Sequence, residues 1–396
     1  MLKKFNTYYI VFGFGSFIIA LYLITRFLGL SDFPIFTDEA IYVRWAQIAK
    51  NDAIWRFISL TDGKQPMFVW IAMVLMRYID NPLFAARLVS VIAGLCTMFG
   101  LFLIGRKVFQ STVVGLVASF LYAVYPFALV YDKMALYDSL VGAFAVWSLY
   151  FSLLLATYVR LDIVFILGLV IGGGVLTKTS SFFSLLLLPV NALLLDLNSK
   201  NRIKVITSFF LMCGLVAGLT FMYYCVLRLS PFFHIVSDKN AIFVYPFGEW
   251  LQHPFYYLSN NFFGLWDWFW KYMSIPWVVL VGLSLIISKS YTKEKIVLLL
   301  YFLVPFLYLS FFGRTIYPRF IFFMTLSLLP LVAFSAVQVY QKIKNTLLAK
   351  VVLALLLILP LRADYFILFD FAHAPIPKPD LHQYYTDWPS GLGVSQ

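Results

Sequence analysis

Eleven mostly apolar stretches, each long enough or nearly so to cross a lipid bilayer, recur along these 396 residues. A spanning helix needs about 20 such residues, and the bilayer core has no water to satisfy an unpaired backbone. The runs fall at 8–28, 82–105, 111–131, 139–158, 162–176, 181–197, 205–227, 273–288, 296–312, 320–340 and 350–369. They predict an all-α polytopic membrane protein of about 11 transmembrane helices, forming one domain over residues 1–370. A chain that is 62% hydrophobic and 12% charged, with mean hydropathy +0.88, excludes an ordinary soluble domain. Lys3 and Lys4 precede an apolar run too long for the core of a cleavable signal, and no small-residue cleavage site follows it.

Loop charge gives an orientation, because Lys and Arg are retained on the cytoplasmic side. With a cytoplasmic N-terminus and strict alternation, the inner loops hold 14 bases and three acids (Asp162, Asp196 and Glu294). Nearly all of the +12 net charge then lies inside, so the basic balance is a topology signal. No soluble face clusters bases with aromatics, which argues against a nucleic-acid partner. The outer side is near neutral yet carries 15 of the 18 acids. Cys96, Cys213 and Cys225 lie in apolar runs without metal-like spacing and read as buried small residues. His234 and His253 likewise lack a ligand pattern.

The first outer loop, about 29–81, is too long for a plain connector. Thr37 can cap a helix whose first turn carries Asp38 and Glu39, where acids complement the helix dipole. A well-capped amphipathic helix is one account of these acids. The other is chemical, since Asp38, Tyr42 and Trp45 share a face at helical spacing and could hold a sugar. A second short helix, Pro66 to Tyr78, suits an interfacial segment, and Lys64 precedes it on the same side. The next outer turn packs Asp132, Lys133 and Asp138 between two apolar spans. Lys178 must reach the outer interface or pair with an acid, because a lone Lys at the bilayer centre costs about 2.5–3.5 kcal/mol on insertion scales. The loop at about 228–272 is aromatic and reads as a membrane-surface element or lid. Arg314 and Arg319 flank Tyr317 on a tight outer turn suited to phosphate, or to ordinary lipid headgroups.

Taken in order, these segments resemble the GT-C integral-membrane glycosyltransferases. The nearest likeness is to the bacterial group of aminoarabinose transferases, protein O-mannosyltransferase relatives and RgtA/B/C/D-like sugar transferases. The residues that carry it are Asp38-Glu39 with Ala40, Tyr42 and Trp45; Lys64-Gln65-Pro66-Met67; Lys133-Met134-Ala135-Leu136-Tyr137-Asp138; Leu176-Thr177-Lys178; and Pro318-Arg319-Phe320. Lys133 stands where the family has Arg, which removes the bidentate fork. Within the short outer tail, residues 371–396, Tyr384-Tyr385-Thr386-Asp387-Trp388-Pro389-Ser390-Gly391 resembles a segment that leads into a longer outer domain in relatives, and the chain is expected to be truncated or to have lost that domain.

The resemblance implies the GT-C fold in a plasma or inner membrane, with the active site on the outer, periplasmic side. It implies a polyprenyl-phosphate-linked sugar as donor and a lipid, glycan or protein acceptor. In that scheme Asp38 is the base, Glu39 and Asp138 position the acceptor or tune its pKa, and Lys64, Arg319 and Lys178 hold the phosphate. Tyr42, Trp45, Lys133 and Tyr317 complete the expected substrate contacts. A single carboxylate acting by direct displacement gives inversion, whereas Asp138 as a second, opposed acid would permit a covalent intermediate. No cofactor is required in this scheme, although some relatives use a divalent ion that Asp38, Glu39 and Asp138 could bind. A lipid-linked sugar transporter and a non-catalytic scaffold of polysaccharide assembly are the competing classes. The first should place its charges near the midplane and show repeats, and the second has no need of converging acids and bases.

Overall fold

A computed structural model describes residues 2–196, 201–343 and 345–386. Among the described residues the chain is helix and connecting turn, with one isolated antiparallel bridge between Val244 and Gly313. Helix α1 spans Leu2–Phe27, α2 Thr37–Asn51, α3 Met67–Leu75 and α4 Pro82–Phe109. Then come α5 (Thr112–Ala123), α6 (Pro126–Asp132), α7 (Tyr137–Tyr158), α8 (Leu161–Val175), α9 (Thr179–Leu194) and α10 (Arg202–Leu229). The second half contains α11 (Ile235–Phe243), α12 (Leu258–Met273), α13 (Ile275–Ile286) and α14 (Thr292–Phe312). It closes with α15 (Pro318–Lys342), α16 (Thr346–Phe369) and the short α17 (Lys378–Leu381).

Every apolar run is largely helical, but not every run makes a full span. Among the described residues six helices are long and apolar enough to cross a membrane, and two further candidates are bent pairs. The α5–α6 pair bends by 59° where Pro126 interrupts the hydrogen-bond ladder, and α12–α13 bends by 99° at Ser274, whose φ is +62°. The run expected at 273–288 is therefore a 12-residue helix leaving a sharp corner. Its length is about 18 Å at 1.5 Å per residue, which falls short of the hydrocarbon thickness. Helix α8, at 15 residues, and α9, largely of the tighter 3-10 type, are also short.

The helix starts follow from local chemistry. Asn81 accepts from the Phe84 N–H at 3.1 Å ahead of Pro82, and Ser111 accepts from the Val114 N–H at 3.4 Å. Helix α2 departs from expectation. Phe36, not Thr37, occupies the cap position, and its N–H donates to Glu39 Oε2 at 3.3 Å. Small residues let spans touch: a Cβ on Gly105 would lie 2.9 Å from the Cα of Gly115, so α4 and α5 meet backbone to backbone.

The loops separate to two ends as alternation demands. At one end Phe109 packs edge-on to Tyr291 and Lys107 lies over Tyr158. At the other, the loops after α1, α6, α8, α10 and α14 converge around one cavity. Between these ends the core is built on α4, α6, α7 and α15, the last with 83% of its apolar window buried.

Candidate active site

Helix α2 carries the site because Glu39, Tyr42, Ala46 and Ala49 bury one of its faces against the bundle, with Phe33 and Phe36 buried just ahead of it, leaving Asp38 at the edge. Asp38 Oδ2 lies 3.0 Å from Arg319 Nη1 and 3.6 Å from Lys64 Nζ. Lys64 Nζ also donates to the Tyr42 hydroxyl at 2.5 Å. Burial works to raise the Asp38 pKa, but Arg319 and Lys64 outweigh it and hold the carboxyl below its usual value. Lys64 moves the opposite way: burial pulls its ammonium down to about 8 despite the attraction of Asp38. Lys64 is held in place by Gly63, whose left-handed φ of +67° a side chain would strain, and whose Cβ would run into α11. On the far wall Lys178 Nζ donates to Asp138 Oδ1 at 2.8 Å, the acid partner that its depth demanded.

Tyr42, Lys64, Asp138, Lys178 and Arg319 border a cavity of about 880 Å³; Asp38 is not part of its lining and meets it through Lys64 and Arg319. Lys64, Lys178, Lys239 and Arg319 line it together with Asp138. Phe182, Phe183, Phe320 and Leu186 form an apolar wall, and Leu186 is itself 62% exposed. The cavity thus has a cationic end beside Asp38 and an apolar side reaching the surface that lipid would cover. Helix α11 roofs it, latched by Lys239 Nζ to Asp62 Oδ1 at 2.6 Å.

The structure thus brings together Asp38, Tyr42, Lys64, Asp138, Lys178 and Arg319 from the sequence reading. Four other residues need correction. Glu39 is fully buried and bonds Arg87 through both oxygens, at 2.7 and 2.8 Å, while Oε1 also accepts from the Ala135 N–H. It is a structural clamp between α2, α4 and the turn before α7, with no surface left for an acceptor. Lys133 Nζ donates to the Leu28 carbonyl at 2.6 Å and does not line the cavity. Trp45 packs on Tyr42 at 5.5 Å between ring centroids, behind the cavity wall. Tyr317 supports the Arg319 guanidinium, which lies 5.4 Å from its ring, and is likewise outside the lining. Asp38 faces Lys64 and Arg319, Glu39 faces Arg87 and Asp138 faces Lys178, and among the described residues no three His, Cys, Asp or Glu side chains are placed to hold a metal ion.

Sequence reasoning missed Arg87, and with it the role of Glu39. The signal was present, since an Arg inside an apolar run must find an acid. The same holds for Arg26, whose Nε lies 3.5 Å from Asp132 Oδ2 in a cluster with Tyr22, Tyr122 and Ser139. Also missed was the polar segment after α16. Asp380, with no exposed surface, accepts at Oδ2 from the Tyr131 hydroxyl at 2.7 Å and from Tyr272. Burial is the main cause that lifts its pKa to about 7. The expected outer domain beyond this segment, and the motif residues 387–391, lie outside the described residues.

A multi-pass membrane bundle whose loops gather acids and bases at one end of an apolar cavity is a GT-C-like architecture, and the comparisons agree. Residues 63–229 match the family model of dolichyl-phosphate-mannose-protein mannosyltransferase. Apo ArnT of Cupriavidus metallidurans superposes with TM-score 0.60 at 15% identity, covering 90% of this chain and 72% of that one. ArnT bound to undecaprenyl phosphate gives TM-score 0.57 at 15% identity, with 90% and 70% covered. The Archaeoglobus fulgidus oligosaccharyltransferase AglB, in complex with an inhibitory peptide and a dolichol-phosphate, gives 0.58 at 14% identity, with 93% and 56% covered. No match was found among curated proteins. The chain is an integral membrane protein with the fold of the GT-C glycosyltransferases, and it spans little more than half the length of AglB.

Proposed function

We propose that this protein is a glycosyltransferase that moves a sugar from a polyprenyl-phosphate donor to a lipid, glycan or protein acceptor on the outer face of the plasma or inner membrane. The observation that carries the reading is Asp38 held between Lys64 and Arg319 beside an apolar-walled cavity. The lipid tail follows the apolar side, and the phosphate takes the cationic end. An acceptor O–H or N–H attacks the anomeric carbon and passes its proton to Asp38. The bond from that carbon to the phosphate oxygen breaks, and polyprenyl phosphate leaves with the electron pair, stabilised by Lys64 and Arg319. Without donor, those two cations make Asp38 a weak base. A phosphate competing for them loosens their hold, so basicity rises as the donor binds. One in-line displacement inverts the anomeric centre.

The reading fits an outer-face site because the loops around the cavity are those that the charge bias assigns outside. The experiment is mass spectrometry of lipids and glycans from cells with the wild-type protein, with Asp38→Asn, and without the gene. One sugar unit present only with the wild type is expected. Equal products in all three, or labelled donor crossing proteoliposomes without transfer, would overturn the reading.

A further inference from the structure

The polar segment after the last long helix runs straight into the site. Tyr384 has no exposed surface, and its ring meets Phe36 edge-on, with centroids 5.0 Å apart and planes at 85°. Phe36 in turn lies under the Arg319 guanidinium, 5.7 Å from its centroid, and directly precedes the helix that bears Asp38. Arg319 has few other restraints: Nη1 reaches Asp38, Nε has no hydrogen-bond partner, and the rings of Phe36 and Tyr317 hold its plane. Tyr384 is fixed from behind. Its hydroxyl lies 3.1 Å from that of Tyr131, which donates to Asp380, and Tyr272 donates to the same carboxyl oxygen. Three hydroxyls and a carboxylate are thus buried to hold one aromatic ring against Phe36. Tyr384 lies within a turn of π-helix, His382–Thr386, a form often found at functional sites.

We propose that Tyr384 is a positioning residue for the anion site: its ring, anchored through Tyr131 and Asp380, sets Phe36 and thereby the Arg319 guanidinium that receives the donor phosphate. This deepens the reading above and rests on it. The aromatic contacts transmit the effect through shape, since edge-to-face pairs prefer a defined geometry and a guanidinium prefers a defined ring face. Removing the Tyr384 ring frees Phe36 to rotate and leaves the guanidinium one support short.

The experiment measures binding of undecaprenyl phosphate, which carries no sugar, to purified full-length protein in detergent. Binding is followed by donor kinetics in proteoliposomes. Tyr384→Ala is expected to raise the dissociation constant, and KM for the donor, about ten-fold with kcat within about two-fold. Tyr384→Phe keeps the ring against Phe36 but loses the hydroxyl that meets Tyr131, and is expected to bring both back to within about three-fold of the wild type. A purely structural role would lower the yield of folded protein and leave KM of the folded fraction at the wild-type value. Phe371→Leu is the control: it breaks the Phe33–Phe371 contact of 4.9 Å in the same segment without touching Phe36, and should leave KM unchanged. Should Tyr384→Ala fail to fold, Phe36→Leu removes the intermediate ring and is expected to weaken lipid-phosphate binding equally. Wild-type binding in the folded variants overturns the proposal. No binding by the wild type overturns the donor reading instead.

Discussion

Asp38 and Glu39 are adjacent acids on one helix turn, yet they occupy two different physical worlds. Glu39 has both oxygens engaged by Arg87, each also by a backbone N–H (Ala135 at Oε1, Phe36 at Oε2), and no exposed surface. Asp38 keeps 23% of its side chain exposed and has one oxygen facing two cations that also line a cavity. A saturated buried pair holds a fold together, and its worth shows only when one partner is removed. An acid whose cations can be drawn away by another anion is available for chemistry. The distinction lies in what each oxygen has left to do.

The largest effect should separate the two. Asp38→Asn, which is nearly isosteric, is expected to lower kcat/KM by about 10²–10⁴ while leaving thermal unfolding of the detergent-solubilised protein almost unchanged. Near-wild-type transfer would remove Asp38 as the base. Arg87→Ala should do the reverse, destabilising the fold by about 3–5 kcal/mol through an uncompensated buried carboxylate. The check is the unfolding temperature of the purified variant, and normal stability with lost turnover would return Glu39 to the catalytic group.

Lys64 sits between these extremes. Lys64→Ala is expected to raise KM for the lipid donor about ten-fold. Its ammonium is charged below its folded pKa of about 8 and neutral above it. In the wild type, kcat/KM for the donor should therefore decline as pH rises through about 8, and Lys64→Arg should move that decline to higher pH. The smallest effect is expected at Lys133. Lys133→Met should leave kcat/KM within about two-fold, since the ammonium caps a backbone carbonyl and does not line the cavity. A ten-fold loss would restore it to the site.

How much of this was legible in the sequence follows the same division. Apolar runs mark helices wherever the bilayer is the solvent, so the described parts of the runs are largely helical, and the loops that alternation grouped together meet around the cavity, although only six to eight of the helices are long and apolar enough to be spans. Period and length could not show that Ser274 turns the chain by 99°. A bend of that kind depends on tertiary packing on both sides. Asp38, Lys64, Asp138, Lys178 and Arg319 were readable because isolated charges at span ends need partners. Glu39 was misread because the same turn of helix serves capping and chemistry alike, and only Arg87, 48 residues away, decides between them. Tyr384 was read only as the start of a motif in the tail, because a Tyr in a polar stretch gives no sign of being buried.

The spacing of these contacts along the chain has a consequence for biogenesis. Glu39 can close on Arg87 as soon as the helix starting at Pro82 has entered the membrane, so the first loop takes shape early in synthesis. Arg319 lies 281 residues beyond Asp38, and the Tyr384 ring that supports its cradle comes later still. Until residue 319 has been made, Asp38 and Lys64 stand without the guanidinium that completes their cluster.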